Sequence, residues 1–395
     1  MEIIERDKCS GCEMCYNICS KNAIMMEKDE EGFRYPSVDS FKCIKCGLCQ
    51  KKCPINNRDS IKITTHNIKT YAVTIKEHAK LMQSSSGGMA TAMYEQMLEK
   101  NGCICGVAYN KKYNDVCYCI SEQYEMLQKF KGSKYIQAEK GFIFRRIKEE
   151  MDRNNKLVLF IGLPCEVAAV KSYLNGDSEK LITCELICHG VTSNTVLEQM
   201  VDRLEKKYRS QIKSFTFRNK GKYHNEGTWK NPKIKAVFEN GKTYIESLGY
   251  SDVGNAFNGM ARYSCYNCAF KGDNRVADIS IGDFWGLDET SDKYNSNGVS
   301  IVIANTQKGL KFVQEIKGIS IKEANLENAK QHNLMIENSL SEPRMGRKYF
   351  GVLFQKYGLH KSVFYSKSLK GKFITFLPQR IRIMLQKIYS DVRKR

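Results

Sequence analysis

Within the first 53 residues one cysteine run occurs twice: Cys9, Cys12, Cys15 and Cys19, then Cys43, Cys46, Cys49 and Cys53. Each reads C-x2-C-x2-C-x3-C, and Pro54 follows the second. That spacing wraps a short loop around a cubane, so that three thiolates reach three irons of one 4Fe-4S cluster while the fourth reaches the other cluster. Cluster one therefore takes Cys9, Cys12, Cys15 and Cys53, and cluster two takes Cys43, Cys46, Cys49 and Cys19. Zinc is the alternative, but it ordinarily uses separated C-x2-C knuckles rather than four cysteines in eleven residues, twice. Ser20 stands where the first run would carry proline; proline is not a ligand, so the cluster survives in a less rigid loop.

A pair of cubanes passes single electrons, and residues 1–57 read as a bacterial-type dicluster ferredoxin module. The chain has 395 residues, enough for two or three domains beyond a ferredoxin alone. Its 17 cysteines, with this spacing and no apolar core in the first residues, indicate metal ligation in a reducing cytoplasm rather than disulfides. No stretch approaches the ~18 apolar residues of a membrane span. The formal net charge is +20; three clusters carrying about −2 each would bring it to about +14. The remaining basic balance suits an anionic partner: an acidic carrier protein, a polyanionic coenzyme or a membrane surface. No recognition helix or basic–aromatic sheet motif points to nucleic acid.

The expected class is α+β, the module being followed by mixed α/β flavin and iron–sulfur domains. Asn56–His66 is polar and reads as a linker. A second domain, 68–150, opens with a strand at Thr70–Thr74, a Gln83–Gly88 turn and a helix. Segments 102–109 and 115–120 read as paired strands. A third domain, 155–320, opens with the apolar run Lys156–Gly162, typical of a buried parallel strand. Residues 321–365 read as a helical extension. The tail 366–395 is a basic amphipathic helix with Ile381, Met384, Leu385, Ile388 and Val392 on one face.

Nine cysteines lie outside the two runs. Cys103, Cys105, Cys117 and Cys119 form C-x-C pairs in strand-like segments; they could gather, but read as buried small hydrophobes. Cys184 reads as core. Cys165 follows Leu-Pro at a strand–helix turn, Cys188 precedes His189 at another, and Cys265 and Cys268 form a knuckle. Two strand ends and a knuckle could converge on a third cubane, with zinc as the rival. Ser85, Ser86, Gly87 and Gly88 precede a helix, where backbone N–H groups and glycine suit phosphate. Lys131, Gly132, Ser133 and Lys134 supply two cations on a loop. Beside a dicluster module these suggest a dinucleotide, and FAD is the natural one because it exchanges a hydride or single electrons.

At this point the chain resembles the coenzyme F420 hydrogenase/dehydrogenase beta-subunit family. The matching stretches are the paired cysteine runs, Gln83–Thr91, Lys131–Gln137, Gly162–Cys165, Leu186–Val191, Ser264–Cys268 and Ala277–Trp285, in the expected order. The resemblance implies FAD beside a further 4Fe-4S cluster. It makes Cys165, Cys188, Cys265 and Cys268 ligands of that cluster, and Ser85–Gly88 and Lys131–Lys134 flavin-phosphate contacts. Relatives reduce or oxidise the deazaflavin coenzyme or reduce chlorophyll-type pigments. Basic chains of this shape resemble bacterial accessory reductases, including ones associated with surface-polysaccharide synthesis. Two features depart from the family: Phe217–Trp229 is longer and more polar than usual, and the basic tail has no counterpart.

The function expected is an iron–sulfur flavoprotein oxidoreductase. It would move electrons between a ferredoxin-type partner, or a redox partner subunit, and a small-molecule hydride donor or acceptor. The alternative is a non-catalytic electron-transfer subunit of a larger complex. Lys8, Lys21, Lys42, Lys45, Lys51 and Lys52 surround the clusters and could dock an acidic ferredoxin. His189 could deliver a proton near the flavin; more often such a residue is a hydrogen-bonded turn histidine. Phe284 and Trp285 could flank an aromatic ring system or pack in the core. The tail could lie on the inner, anionic membrane face or pack on the protein.

Overall fold

The computed structural model describes residues 2–61, 69–221, 228–272, 275–343 and 346–367. Residues 62–66 of the 56–66 linker and all but the start of the 366–395 tail lie outside the described residues, as does the middle of the 217–229 segment. The module carries an antiparallel hairpin, β1 (Ile24–Lys28) and β2 (Arg34–Val38). Eleven further strands are described: β3 (Lys69–Ile75), β4 (Cys103–Tyr109), β5 (Val116–Ser121), β6 (Val158–Gly162), β7 (Leu181–Leu186), β8 (Ile212–Asn219), β9 (Lys233–Phe238), β10 (Thr243–Ser247), β11 (Ile279–Asp283), β12 (Ser300–Ala304) and β13 (Ile319–Glu323).

Eight of them form one sheet in the order β13-β3-β12-β11-β7-β6-β4-β5. β4, β6, β7 and β11 run parallel. β12 is antiparallel to both β11 and β3, so β3 runs with the parallel set. The reason for the centre is compositional: β6 reads Val-Leu-Phe-Ile-Gly and is buried throughout, as a strand covered on both faces must be. Segments 68–150 and 155–320 thus interleave in a single sheet, β12 lying beside β3 and β6 beside β4. The expected pair at 102–109 and 115–120 is β4 and β5. The extension at 321–365 differs from expectation at its start. Ile319-Ser-Ile-Lys-Glu alternates apolar and polar and joins the sheet edge as β13; helices Leu326–His332 and Arg347–Ser366 follow.

Helices Met89–Glu99, Tyr124–Phe130 and Gln307–Gln314 pack on one face of the sheet. Ile143–Asp152, Pro164–Leu174 and Asn194–Tyr208 pack on the other. That second core also takes in Cys12, Met14, Phe33 and Cys53. The module is therefore not a bead on a linker but part of the main core. β8, β9 and β10 form a separate antiparallel sheet.

Candidate metal centres and cofactor site

The two cysteine runs fold into two distinct cavities. One is lined by Cys9, Cys12, Cys15 and Cys53, together with Gly11, Pro36 and Pro54. The other is lined by Cys19, Cys43, Cys46 and Cys49, with Ile44, Gly47 and Leu48. The grouping is the crossed one, each run lending its fourth cysteine to the other set. Short helices Met14–Ile18 and Leu48–Lys51 inside each run turn the thiols inward. In the first cavity burial, followed by the nearby Cys53, pushes the Cys12 thiol up to about 12, and burial holds Cys15 well above its ordinary value. Thiols crowded this way are costly as thiolates unless a cation joins them, which suits an iron site.

The third set comes from strand ends. β6 ends at Gly162, and Pro164 starts the next helix at its first turn, where its missing N–H costs nothing. Glu166 accepts a hydrogen bond from the Leu163 N–H at 2.9 Å, which fixes the turn carrying Cys165. β7 ends at Leu186 and delivers Cys188. Cys265 and Cys268 arrive from the 263–268 turn, which is pinned by Cys268 N–H to Ser339 Oγ (2.9 Å) and Leu340 N–H to Cys265 O (3.3 Å). The four thiols feel one another. Burial and then Cys265 push Cys188 up to about 12; burial, with Cys268 beside it, takes Cys265 up to about 11. Cys165 is raised by burial, Glu166, Cys188, Cys268 and also Cys12 of the first set. The third set adjoins the first: the Arg262 carbonyl accepts from the Cys265 N–H at 2.9 Å while the Arg262 guanidinium donates to Cys9 O at 2.6 Å.

The remaining cysteines do not gather. Cys119 pairs with Gly106 and Cys117 with Ala108, so both face away from Cys103 and Cys105. Cys103, Cys105 and Cys184 are buried in the core. Cys103 comes near Glu122 and Glu150, but those carboxylates are taken by Lys156 (2.8 Å) and Asn154 (2.8 Å).

The Ser84–Gly88 turn and the Lys131–Lys134 loop meet directly. Ser85 Oγ accepts the Ser133 N–H at 2.9 Å, and the two hydroxyls lie 3.0 Å apart. Lys131 Nζ donates to Gln83 Oε1 at 3.1 Å. Ser86, Gly87 and Gly88 are buried and serve the turn itself: Ser86 Oγ donates to Val299 O at 2.7 Å. A Cβ on Gly87 would overlap backbone of Val73 and Ser300, and Gly88 has φ +89°. Ser85, Lys131, Gly132, Ser133 and Lys134 keep part of their surface open. Lys134 has a role the sequence did not signal. Its Nζ donates to the carbonyls of Phe130, Lys131 and Gly132 at 3.0–3.2 Å, closing the end of helix Tyr124–Phe130. Burial lowers it to about 7.

Sequence reasoning missed three residues here. Lys220 Nζ donates to Ser86 O (3.0 Å) and Asn297 O (2.7 Å), and burial, followed by Arg218, lowers it to about 7. Arg218 pairs with Asp283 at 2.6 Å. The signal was present: Arg218 and Lys220 are cations at i, i+2 where β8 ends, just after the buried Phe215 and Phe217. His189 has Lys271, Asp283 and Arg218 around it, and partial burial followed by the Lys271 charge holds its imidazole below the ordinary value. Trp285 stacks on Trp229 at 5.3 Å, while Phe284 is core. Among the described residues, Tyr109 Oη, Arg218 Nε and Trp229 Nε1 are buried without a hydrogen-bond partner. Two lysines without acidic partners among the described residues, orphaned polar atoms and stacked aromatics fit an anionic, aromatic dinucleotide. Arg218 pairs with Asp283 and Trp285 follows it at the carboxyl end of β11, while Tyr109 ends β4 with Lys134 over its ring, the edge where open α/β sheets take ligands.

Among the described residues no helix is long and apolar enough to cross a membrane. Residues 8–57 match the 4Fe-4S dicluster domain, and residues 155–329 match the family described as the C terminus of the coenzyme F420 hydrogenase/dehydrogenase beta subunit. An uncharacterized ferredoxin of Methanocaldococcus jannaschii is 41% identical over 54 residues, 14% of this chain and 69% of that protein. An uncharacterized protein of the same organism is 23% identical over 210 residues, 46% of this chain and 56% of that one. Its pyruvate synthase subunit PorD is 38% identical over 55 residues, 14% of this chain and 58% of PorD. The chain thus spans little more than half the length of the latter two. A chain from the F420-reducing [NiFe] hydrogenase complex of Methanosarcina barkeri superposes with TM-score 0.46 at 18% identity, covering 70% of this chain and 96% of that one. Residues 155–329 thus carry the C-terminal domain of the coenzyme F420 hydrogenase/dehydrogenase beta-subunit family, behind a 4Fe-4S dicluster domain at residues 8–57.

Proposed function

We propose that this chain is an iron–sulfur flavoprotein oxidoreductase that moves electrons between a protein partner at its dicluster module and a small-molecule hydride donor or acceptor, the deazaflavin coenzyme F420 among the candidates. What carries this reading is the serial placement of three cysteine sets. The outer set contains the exposed Cys46, the inner set has Cys9, Cys12 and Cys53 buried, and Arg262 ties the third set to the inner one, its carbonyl accepting from the Cys265 N–H and its guanidinium donating to Cys9 O. Bound FAD would supply the conversion between hydride and single electrons.

The chain's own residues have definite tasks in this reading. Cys9, Cys12, Cys15 and Cys53 would hold one cluster, Cys19, Cys43, Cys46 and Cys49 the second, and Cys165, Cys188, Cys265 and Cys268 the third. Lys134 and Lys220 offer positive charge to a diphosphate beside Ser85 and Ser133. Arg218, Asp283 and His189 stand between that end and Cys188. His189 is placed to hold a proton there. Phe41 is fully exposed and Ile44 61% exposed beside Cys46. Lys42, Lys45 and Lys51, exposed around them, form a rim suited to an acidic one-electron carrier. The reading places the chain in a reducing cytoplasm, with the 366–395 tail offered to an anionic membrane face.

Anaerobic purification followed by iron, sulfide and flavin analysis tests it. The reading predicts about twelve irons and one FAD per chain. About eight irons and no flavin would leave an electron-transfer subunit that feeds a partner enzyme.

A further inference from the structure

Every buried arginine needs its charge compensated, because an isolated ion in a protein interior costs several kcal/mol. Arg347 has Glu31, Arg275 has Glu185, Arg218 has Asp283, and Arg34 has Asp115 and Glu139. Arg262 breaks the pattern. It is fully buried (0% exposed) and pairs with no carboxylate among the described residues. Its partners are neutral: Nε donates to Cys9 O at 2.6 Å, Nη1 to Gln137 Oε1 at 3.1 Å and Nη2 to Arg34 O at 3.1 Å. The guanidinium lies 4.1 Å from the Tyr35 ring centroid.

Its position in the chain explains the exception. Arg262 N–H donates to Val191 O, three residues beyond Cys188, and Arg262 O accepts from the Cys265 N–H at 2.9 Å. The backbone of Arg262 thus belongs to the third cysteine set, while its side chain holds the backbone of the first. Gly11, between Cys9 and Cys12, has φ +65°, and a Cβ there would overlap the Gln137 amide and the Arg262 guanidinium. The loop has been cleared for this contact. The outer set has no such link to Arg262.

We propose that Arg262 is the positioning residue that joins the inner dicluster centre to the third centre and holds both at a higher reduction potential than a neutral residue would. The proposal rests on reading these cysteine sets as iron–sulfur sites. The compensating negative charge is then the pair of thiolate-bound clusters on either side. Cluster potentials respond to nearby charge and hydrogen bonding, and a fixed cation favours the more negative, reduced form of each.

The test uses the full chain, purified anaerobically, as wild type, Arg262→Gln and Arg262→Lys. Iron is counted, and midpoint potentials are read by EPR-monitored redox titration. Removing the charge is expected to weaken reduction of the inner and third centres about tenfold, or about 59 mV for a one-electron couple. The outer centre should keep its potential and so serves as internal control. Lysine should restore most of the shift. Selective loss of inner and third iron from Arg262→Gln, recovered in Arg262→Lys, is a stronger form of the same result. An iron-replete Arg262→Gln protein with unchanged potentials, or with all three shifted equally, would overturn the proposal. So would iron lost from the outer centre first. If wild type holds only about eight irons, the three-centre reading fails separately, while the Arg262 effect on the Cys9 centre stays measurable.

Discussion

The two halves of the dicluster module share a cysteine spacing yet sit in opposite environments. The inner site is welded into the main core. Cys9, Cys12 and Cys53 are buried, and Asn17, Lys140, Gln137 and Arg262 stitch its loop to distant parts of the chain through hydrogen bonds to backbone carbonyls. Lys140, buried between Gly11 O (3.2 Å) and Glu166 (2.9 Å), repeats the theme beside Cys165. The outer site faces solvent, with Cys46 exposed and Phe41, Ile44 and Leu48 open around it. In the proposed relay one motif would serve as both receiving end and hand-off end, and the difference in environment comes from the packing around each loop.

The largest effect that separates them is removal of a thiol. Cys12→Ala should lose about four irons and also lower the thermal midpoint, because Cys12 belongs to the shared core. Cys46→Ala should lose about four irons with the midpoint unchanged. Equal melting of the two variants would break the contrast. Next comes Glu31→Ala, which leaves the buried Arg347 without its acid where the inner hairpin meets helix Arg347–Ser366. Loss of about 3–5 kcal/mol is expected by urea unfolding. Asp39→Ala, on the outer loop beside Lys42, should leave the urea midpoint in place.

Much of this was legible in the sequence, and the limits are physical. The crossed ligand sets follow from spacing within eleven residues. Cys165 and Cys188 could be brought together because β6 and β7 are neighbouring parallel strands, whose carboxyl ends share one edge. Arg262 and Lys140 could not be found this way: their partners in the inner loop are remote in the chain, and nothing local marks a buried cation. Lys134 reads as a phosphate contact because Lys-Gly-Ser-Lys reads as a loop; its added service as a helix cap depends on where Phe130 ends the helix. The division at about 150–155 was drawn at a polar stretch, whereas β12 and β13 return to pair around β3 and so interleave the two segments.

Smaller effects sharpen the picture at the far end of the relay. Lys220→Ala should weaken FAD binding about tenfold, about 1.4 kcal/mol, measured by fluorescence titration. Lys134 and Lys220 both have values lowered to about 7 by burial, and a bound diphosphate favours their charged forms. Affinity should therefore be full below about pH 7 and fall as pH rises above it. A flat profile would remove these lysines from the site. Smallest is Lys42→Glu with Lys51→Glu, which should slow association with an acidic carrier at low salt and have little effect at high salt.

The relay itself is tested most directly by mixing reduced acidic ferredoxin with the FAD-loaded chain and following flavin bleaching by stopped flow, in wild type and in Cys46→Ala. The account predicts bleaching in wild type, and its loss in the variant while dithionite still reduces the flavin. Bleaching at the wild-type rate in a variant shown to lack the outer cluster would contradict entry through that face.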